Sequence, residues 1–158
     1  MYQTINHVLE EAAHGAAAPL LWLTTERYEE APKKKERKAN LGQEPPISVN
    51  RTSPFIGWKV EHVAKWLQEK PETVDLDSHH FAILDMKATE GSVVVCKIGD
   101  EDLQGDSLSF VRKSARHMAS FLNGMEPYTW EEQFEGVRGR KRHVEIDYGD
   151  GGKSTRTE

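Results

Sequence analysis

Two β-rich runs separated by a glycine turn constrain this chain most. His80 to Lys87 carries Phe81, Ile83 and Leu84, and Ser92 to Ile98 carries Val93, Val94, Val95, Cys96 and Ile98. Branched and aromatic side chains at this density fit a pleated strand. Thr89-Glu90-Gly91 between them suits a tight turn with Gly91 at positive φ. A third short strand follows, where Leu108, Phe110 and Arg112 alternate with Ser107, Ser109 and Val111. The expectation is an antiparallel meander over about 80–112.

Helices flank this sheet. In 2–14, Ile5, Val8, Leu9 and Ala12 fall on one helical face, with Thr4 or Asn6 as cap and Gly15 as stop. In 58–70, Val60, Val63, Ala64 and Leu67 form a stripe with Trp66 beside it, and Pro71 ends the pattern. In 114–123, Ser114 is a good N-cap, Ala115, Met118, Ala119 and Leu122 form the apolar face, and Asn123-Gly124 is a stop. The short apolar run 19–25 reads as a buried strand, added at an edge or in the middle of the sheet. Thr129 and Glu132 have the spacing of a capping box, so one last helical turn is expected at 130–134.

The fold class is therefore α+β, with helices 58–70 and 114–123 packed on one face of a small sheet. The expected core is Leu21, Leu23, Val60, Val63, Leu67, Phe81, Ile83, Val93, Val95, Phe110, Met118 and Leu122. Trp22, Trp58, Trp66 and Trp130 are expected as core or helix-docking residues.

Of 158 residues, 37% are hydrophobic and 30% charged, against averages of about 45–50% and about 25%. Part of the chain therefore lies outside the core. One such part is the long basic loop 26–54, with four prolines (Pro32, Pro45, Pro46, Pro54) and the run Lys33-Lys34-Lys35-Glu36-Arg37-Lys38. Another is the Gly-rich, polar segment 136–158, which carries Arg138, Arg140, Lys141 and Arg142 and is expected to be disordered. Residues 1–135 then make a single domain with the loop as an insertion.

The formal net charge is −5, which provides no global attraction to nucleic acid or anionic lipid. Cys96 is the one cysteine, so no intramolecular disulfide forms. No secretory signal or membrane-spanning run is visible. These features predict an intracellular chain, cytoplasmic or nuclear.

Several side chains carry chemistry that deserves a structural test. Asp85 interrupts an apolar strand and shares a face with Phe81 and Ile83 if alternation holds. That position suits a general acid or base, or an internal ion pair. Arg112, Lys113 and Arg116 gather at a strand-to-helix junction, where free helix N–H groups would help them hold a phosphate or carboxylate. His117 lies beside them and is the second candidate catalytic residue. Cys96 is a nucleophile only if a base such as His117 approaches it, and otherwise an inert core thiol.

His79-His80 follows Asp75 and Asp77, but neighbouring strand residues point to opposite faces. A shared metal would need a further ligand such as Asp85, Cys96 or His117. Asp100, Glu101, Asp102 and Asp106 match a calcium loop only in part, because Val111 stands where a bidentate Glu belongs. The runs Lys33–Lys38 and Arg138–Arg142 read as solvated charge, import signals or docking patches. No aromatic residue lies within either run, so a stacking platform for single strands is not supported.

The leading expectation is a small binding or adaptor domain that docks a protein partner or an acidic surface, with nucleic acid reached only through the basic tail. No cofactor, resident metal or membrane is expected. The alternative is a small enzyme or anion binder using Asp85, Arg112, Arg116 and His117. A calcium- or metal-dependent regulator is third.

Overall fold

The computed structural model describes residues 2–15, 21, 27–34, 42–47, 53–99, 108–123, 143–147 and 153–157. Its centre is an antiparallel sheet of β1 (His80–Ile83), β2 (Ser92–Ile98) and β3 (Leu108–Ser114), in the order β1-β2-β3. Phe81 stands opposite Cys96, and Cys96 opposite Phe110. This is the meander expected from the two runs. The first strand is shorter than its apolar pattern, because residues Met86–Glu90 turn into a 3-10 helix. Asp85 caps that turn by accepting a hydrogen bond from the Lys87 N–H at 3.1 Å. Gly91 closes it with φ 73°, the positive angle its place in the turn predicts.

Three helices cover the sheet: α1 (Tyr2–Gly15), α2 (Val60–Gln68) and α3 (Ala115–Asn123). They do not share one face. Val93 and Val95 pack with Val8 and Ala12 of α1 and with Ala115, Met118 and Ala119 of α3. Val94 and Cys96, on the other side of the pleat, pack with Val60 of α2 and with Phe110. Ile98 continues that side against Ala64 and Leu67. The whole run Val93–Cys96 is consequently buried, as a strand covered on both faces must be. The expectation of helices on a single face is corrected by this layering.

Local details also shift. Asn6 lies inside α1 instead of capping it, and its Oδ1 accepts from the Ile47 N–H at 2.9 Å. That bond seats Ile47 beside Ile5 and Leu9. Trp58 precedes α2. The long basic segment is tied down where it is described. Lys33 pairs with Val74 as an antiparallel bridge, the Lys34 N–H donates to Thr73 O at 3.0 Å, and the Asp75 N–H donates to Pro32 O at 2.7 Å. Of the expected strand 19–25, only Leu21 lies within the described residues. It is not in a strand, and its carbonyl accepts from the Gln43 N–H at 2.7 Å.

Composition predicts disorder beyond Gly136, yet β4 (His143–Asp147) and β5 (Lys153–Thr157) form a two-stranded antiparallel hairpin there. Ile146 is fully buried against Val60, Val94, Cys96 and Phe110. Ile146 gives a segment of polar average composition an aliphatic anchor in the core. The rest of 136–158, and the helical turn expected at 130–134, lie outside the described residues.

Candidate functional site

Asp85 and Arg112 do meet. Asp85 lies just past the end of β1, as the cap of the 3-10 turn, and β3 places Arg112 two residues from Phe110, opposite Val94. The guanidinium donates from one nitrogen to Asp85 Oδ1 at 3.2 Å and from the other to Oδ2 at 2.5 Å. It also donates to Ser92 Oγ at 3.3 Å. The Asp85 side chain is 0% exposed and that of Arg112 22%. A buried carboxylate held by a bidentate guanidinium and a backbone N–H has its acceptors engaged. The arrangement joins the 3-10 turn to the edge strand β3.

The other cations of the junction turn elsewhere. Lys113, next in the strand and so on the opposite face, lies over the Phe121 ring at 4.4 Å. Arg116 pairs with Glu11 of α1, Nε to Oε2 at 3.1 Å. His117 Nδ1 lies 2.8 Å from Ser114 Oγ, and Ser114 Oγ accepts from the His117 N–H at 3.3 Å. The helix start is thus capped as its sequence predicts. The Ala115 N–H is also engaged, donating to Gly91 O at 2.8 Å. Arg112, Lys113 and Arg116 therefore have three separate partners, and two amides at the start of α3 are already bonded. Asp85 pairs with Arg112, which stands opposite Val94 of the α2-covered face, whereas α3, which carries His117, packs on the other face. Cys96 is fully buried on the α2 side.

His79 and His80 are organised by Asp77. Its Oδ1 accepts from the His79 N–H at 2.7 Å and the His80 N–H at 3.2 Å, and its Oδ2 lies 3.1 Å from His80 Nδ1. Burial pushes the Asp77 carboxyl upward. The His80 ring hydrogen bond, the two backbone N–H groups and the His80 charge together outweigh that and hold it below the ordinary carboxylate value. A folded carboxyl that binds its proton less readily than the unfolded one contributes stability above the ordinary carboxylate range. That contribution is lost as pH falls through the range toward the folded value. Asp77→Asn is therefore expected to be less stable than the wild type near neutral pH. The gap should close as pH falls from about 5 to about 3, measured by urea denaturation at each pH. A gap that stays constant or widens contradicts this linkage.

Among the described residues, no group of three or more His, Cys, Asp or Glu side chains gathers to hold a metal ion. No described helix is long and apolar enough to cross a membrane. The acidic turn Asp100–Asp106 and the basic residues Lys35, Arg37, Lys38, Arg138, Arg140, Lys141 and Arg142 lie outside the described residues. Lys33 and Lys34 lie within them, and Lys33 Nζ donates to Tyr28 O.

A different surface exposes large apolar side chains. The turn at 53–59 presents Phe55, Ile56 and Trp58 immediately before α2. Phe55 meets the ring of Trp58 edge-on at 5.4 Å and that of Trp66 at 5.1 Å. Tyr28 stacks on Trp66 at 4.8 Å and donates its hydroxyl to Trp66 O at 2.7 Å. Burial, then the negative charge of Glu69, pushes the Tyr28 phenol upward, so it stays protonated and able to donate. Above this base Ile56 is 52% exposed and Trp58 38%. Arg27–Glu30 and Lys65–Glu69 ion pairs lie next to the stacked pair in sequence, on the segment of Tyr28 and the helix of Trp66.

Trp58, expected as a core or helix-docking residue, lies before α2 and is partly exposed. The signal for exposure is local: Phe55-Ile56-Gly57-Trp58 follows Pro54 and contains a positive-φ glycine, Gly57 at φ 78°, and turns run over the surface. Trp66 does pack on the α2 core, and Trp22 and Trp130 lie outside the described residues. Comparison of the chain with family models, curated proteins and solved structures finds no match.

Proposed function

We propose that this chain is a binding module that meets a protein partner through the Phe55–Trp58 surface. The observation that carries the reading is the exposure of Ile56 and Trp58 on a base of interlocked aromatic rings. Single exposed apolar residues are ordinary, but adjacent large ones on a rigid base form the anchors that interfaces favour. Ring contacts beneath them reduce the ordering cost that association would otherwise carry. The nearby Arg27–Glu30 and Lys65–Glu69 pairs offer charges of both signs for a polar rim. The candidate acid–base and anion-binding side chains support the same reading from the other side. Asp85, Arg112 and Arg116 are engaged in ion pairs within the fold.

The test is site-directed photo-cross-linking in cells of the source organism. A cross-linking residue replaces Ile56 in one variant and the exposed Glu90 in another. The expected result is a protein captured from position 56, absent from position 90, and lost when Trp58→Ala is added in a chain whose circular dichroism is unchanged. The same proteins from both positions, or none from position 56, contradict the proposal.

A further inference from the structure

We infer that the β4–β5 hairpin is a detachable plug, which leaves the sheet as a unit while the remainder of the fold stays intact. The inference is independent of the aromatic surface, since the hairpin acts at the sheet. The contact that seats it is specific: Ile146 is fully buried among Val60 of α2, Val94 and Cys96 of β2, and Phe110 of β3. The hairpin is a separate two-stranded sheet, paired from His143↔Thr157 to Asp147↔Lys153, and does not extend the β1-β2-β3 ladder.

Its strands read HVEID and KSTRT. Only Val144 and Ile146 are aliphatic in these two strands. An isolated two-stranded hairpin is marginally stable at best in water. So few aliphatic side chains must offset the conformational entropy of fixing both strands. The sheet beneath is held very differently. Val93, Val94, Val95 and Cys96 are each 0% exposed, and both faces of β2 are packed by helices. Elements with few buried apolar contacts open at lower free energy than the core does. The weak link is the hairpin.

Release would uncover an apolar patch of Val60, Val94, Cys96 and Phe110 that the closed fold hides. Ile146 therefore acts as a cover for this face. Cys96 serves as a built-in reporter, because its thiol lies under Ile146 and is the chain's one cysteine.

The experiment uses the full chain without denaturant. Modification of Cys96 by a small disulfide reagent is followed alongside hydrogen exchange of the amides in β4, β5, α2 and β2. The expected result is that Cys96 reacts with the same opening constant as the β4 and β5 amides, at least tenfold larger than that of α2 and β2. Ile146→Ala should increase Cys96 reactivity a further tenfold or more, and the milder Ile146→Val about threefold, with β2 protection unchanged within about twofold. Equal opening constants for Cys96, β4, β5 and β2 would make the hairpin part of the global folding unit and overturn the inference. Cys96 opening that tracks α2 instead of the hairpin would overturn it as well. So would a wild-type thiol that reacts like a fully exposed one, because no plug would then be seated.

Discussion

Gly15→Ala is expected to destabilise the protein by about 3 kcal/mol or more, although replacing a helical glycine by alanine ordinarily gains about 0.5–1 kcal/mol. The reversal of sign comes from the crossing of α1 and α3. A Cβ added at Gly15 would stand 1.7 Å from the Arg116 carbonyl oxygen and 2.7 Å from its carbonyl carbon. Those are backbone atoms at the start of α3, and they are not free to swing aside. The Arg116–Glu11 ion pair crosses the same contact, so forcing the helices apart loses it too. Urea denaturation of Gly15→Ala beside His14→Ala makes the test. The exposed His14 should be replaceable within about 0.5 kcal/mol. A Gly15→Ala protein as stable as the wild type, or more so, would mean that the two helix ends do not approach in this way.

The second large effect is expected at Arg112. Arg112→Met leaves the Asp85 carboxylate in the interior with its bidentate partner gone. Removing one member of a buried pair typically costs about 3–5 kcal/mol. The lower end is expected, because Arg112 is partly exposed and the Lys87 N–H still bonds Asp85. Replacing both residues, Asp85→Leu with Arg112→Met, should recover most of the loss, since apolar side chains fit that face beside Ile83 and Val94. A double-mutant cycle in urea should then show strong positive coupling between the positions. Additive losses would indicate two independent surface residues. The same cycle bears on function, because an Asp85 that served as an acid or base would not be expressed chiefly in stability.

Much of the fold was legible because its signals are local. The 3.6-residue stripes of α1, α2 and α3, the Ser114 cap and the Gly91 turn depend on neighbours in sequence. The layering was harder. Val93-Val94-Val95-Cys96 is apolar on both sides of the pleat, which signals two covered faces, but nothing local assigns a given helix to a given face. Gly15 reads as a helix stop because stops are local, whereas its close approach to Arg116 arises between residues 101 positions apart (116 − 15).

The candidate site follows the same division. Alternation puts Asp85 on the Phe81 face only if the strand runs on, but β1 ends at Ile83 and Asp85 caps the 3-10 turn. Its pairing with Arg112 depends on how β2 registers against both neighbours. Arg112, Lys113 and Arg116 look like one cluster in sequence, yet strand alternation and the turn into α3 send them to different partners. The hairpin strands were hidden because composition averages over a segment, while Ile146 acts as a single anchor. Trp58 was expected as a core or helix-docking residue because large aromatics dominate small cores. The turn chemistry of Pro54 and Gly57 was the better guide.

We propose a division of labour: interior charges hold the fold, and the Phe55–Trp58 surface binds. The most direct measurement takes the protein captured from position 56 and titrates it against wild type, Trp58→Ala and Arg112→Met, at a temperature where all three are folded, with the stability of each measured in parallel. The account predicts that Trp58→Ala loses at least about tenfold in affinity, about 1.4 kcal/mol, with little change in stability. Arg112→Met should bind within about twofold of wild type while losing several kcal/mol of stability. Weakened binding in a folded Arg112→Met protein, with Trp58→Ala unaffected, would contradict the account and return the function to the charged junction.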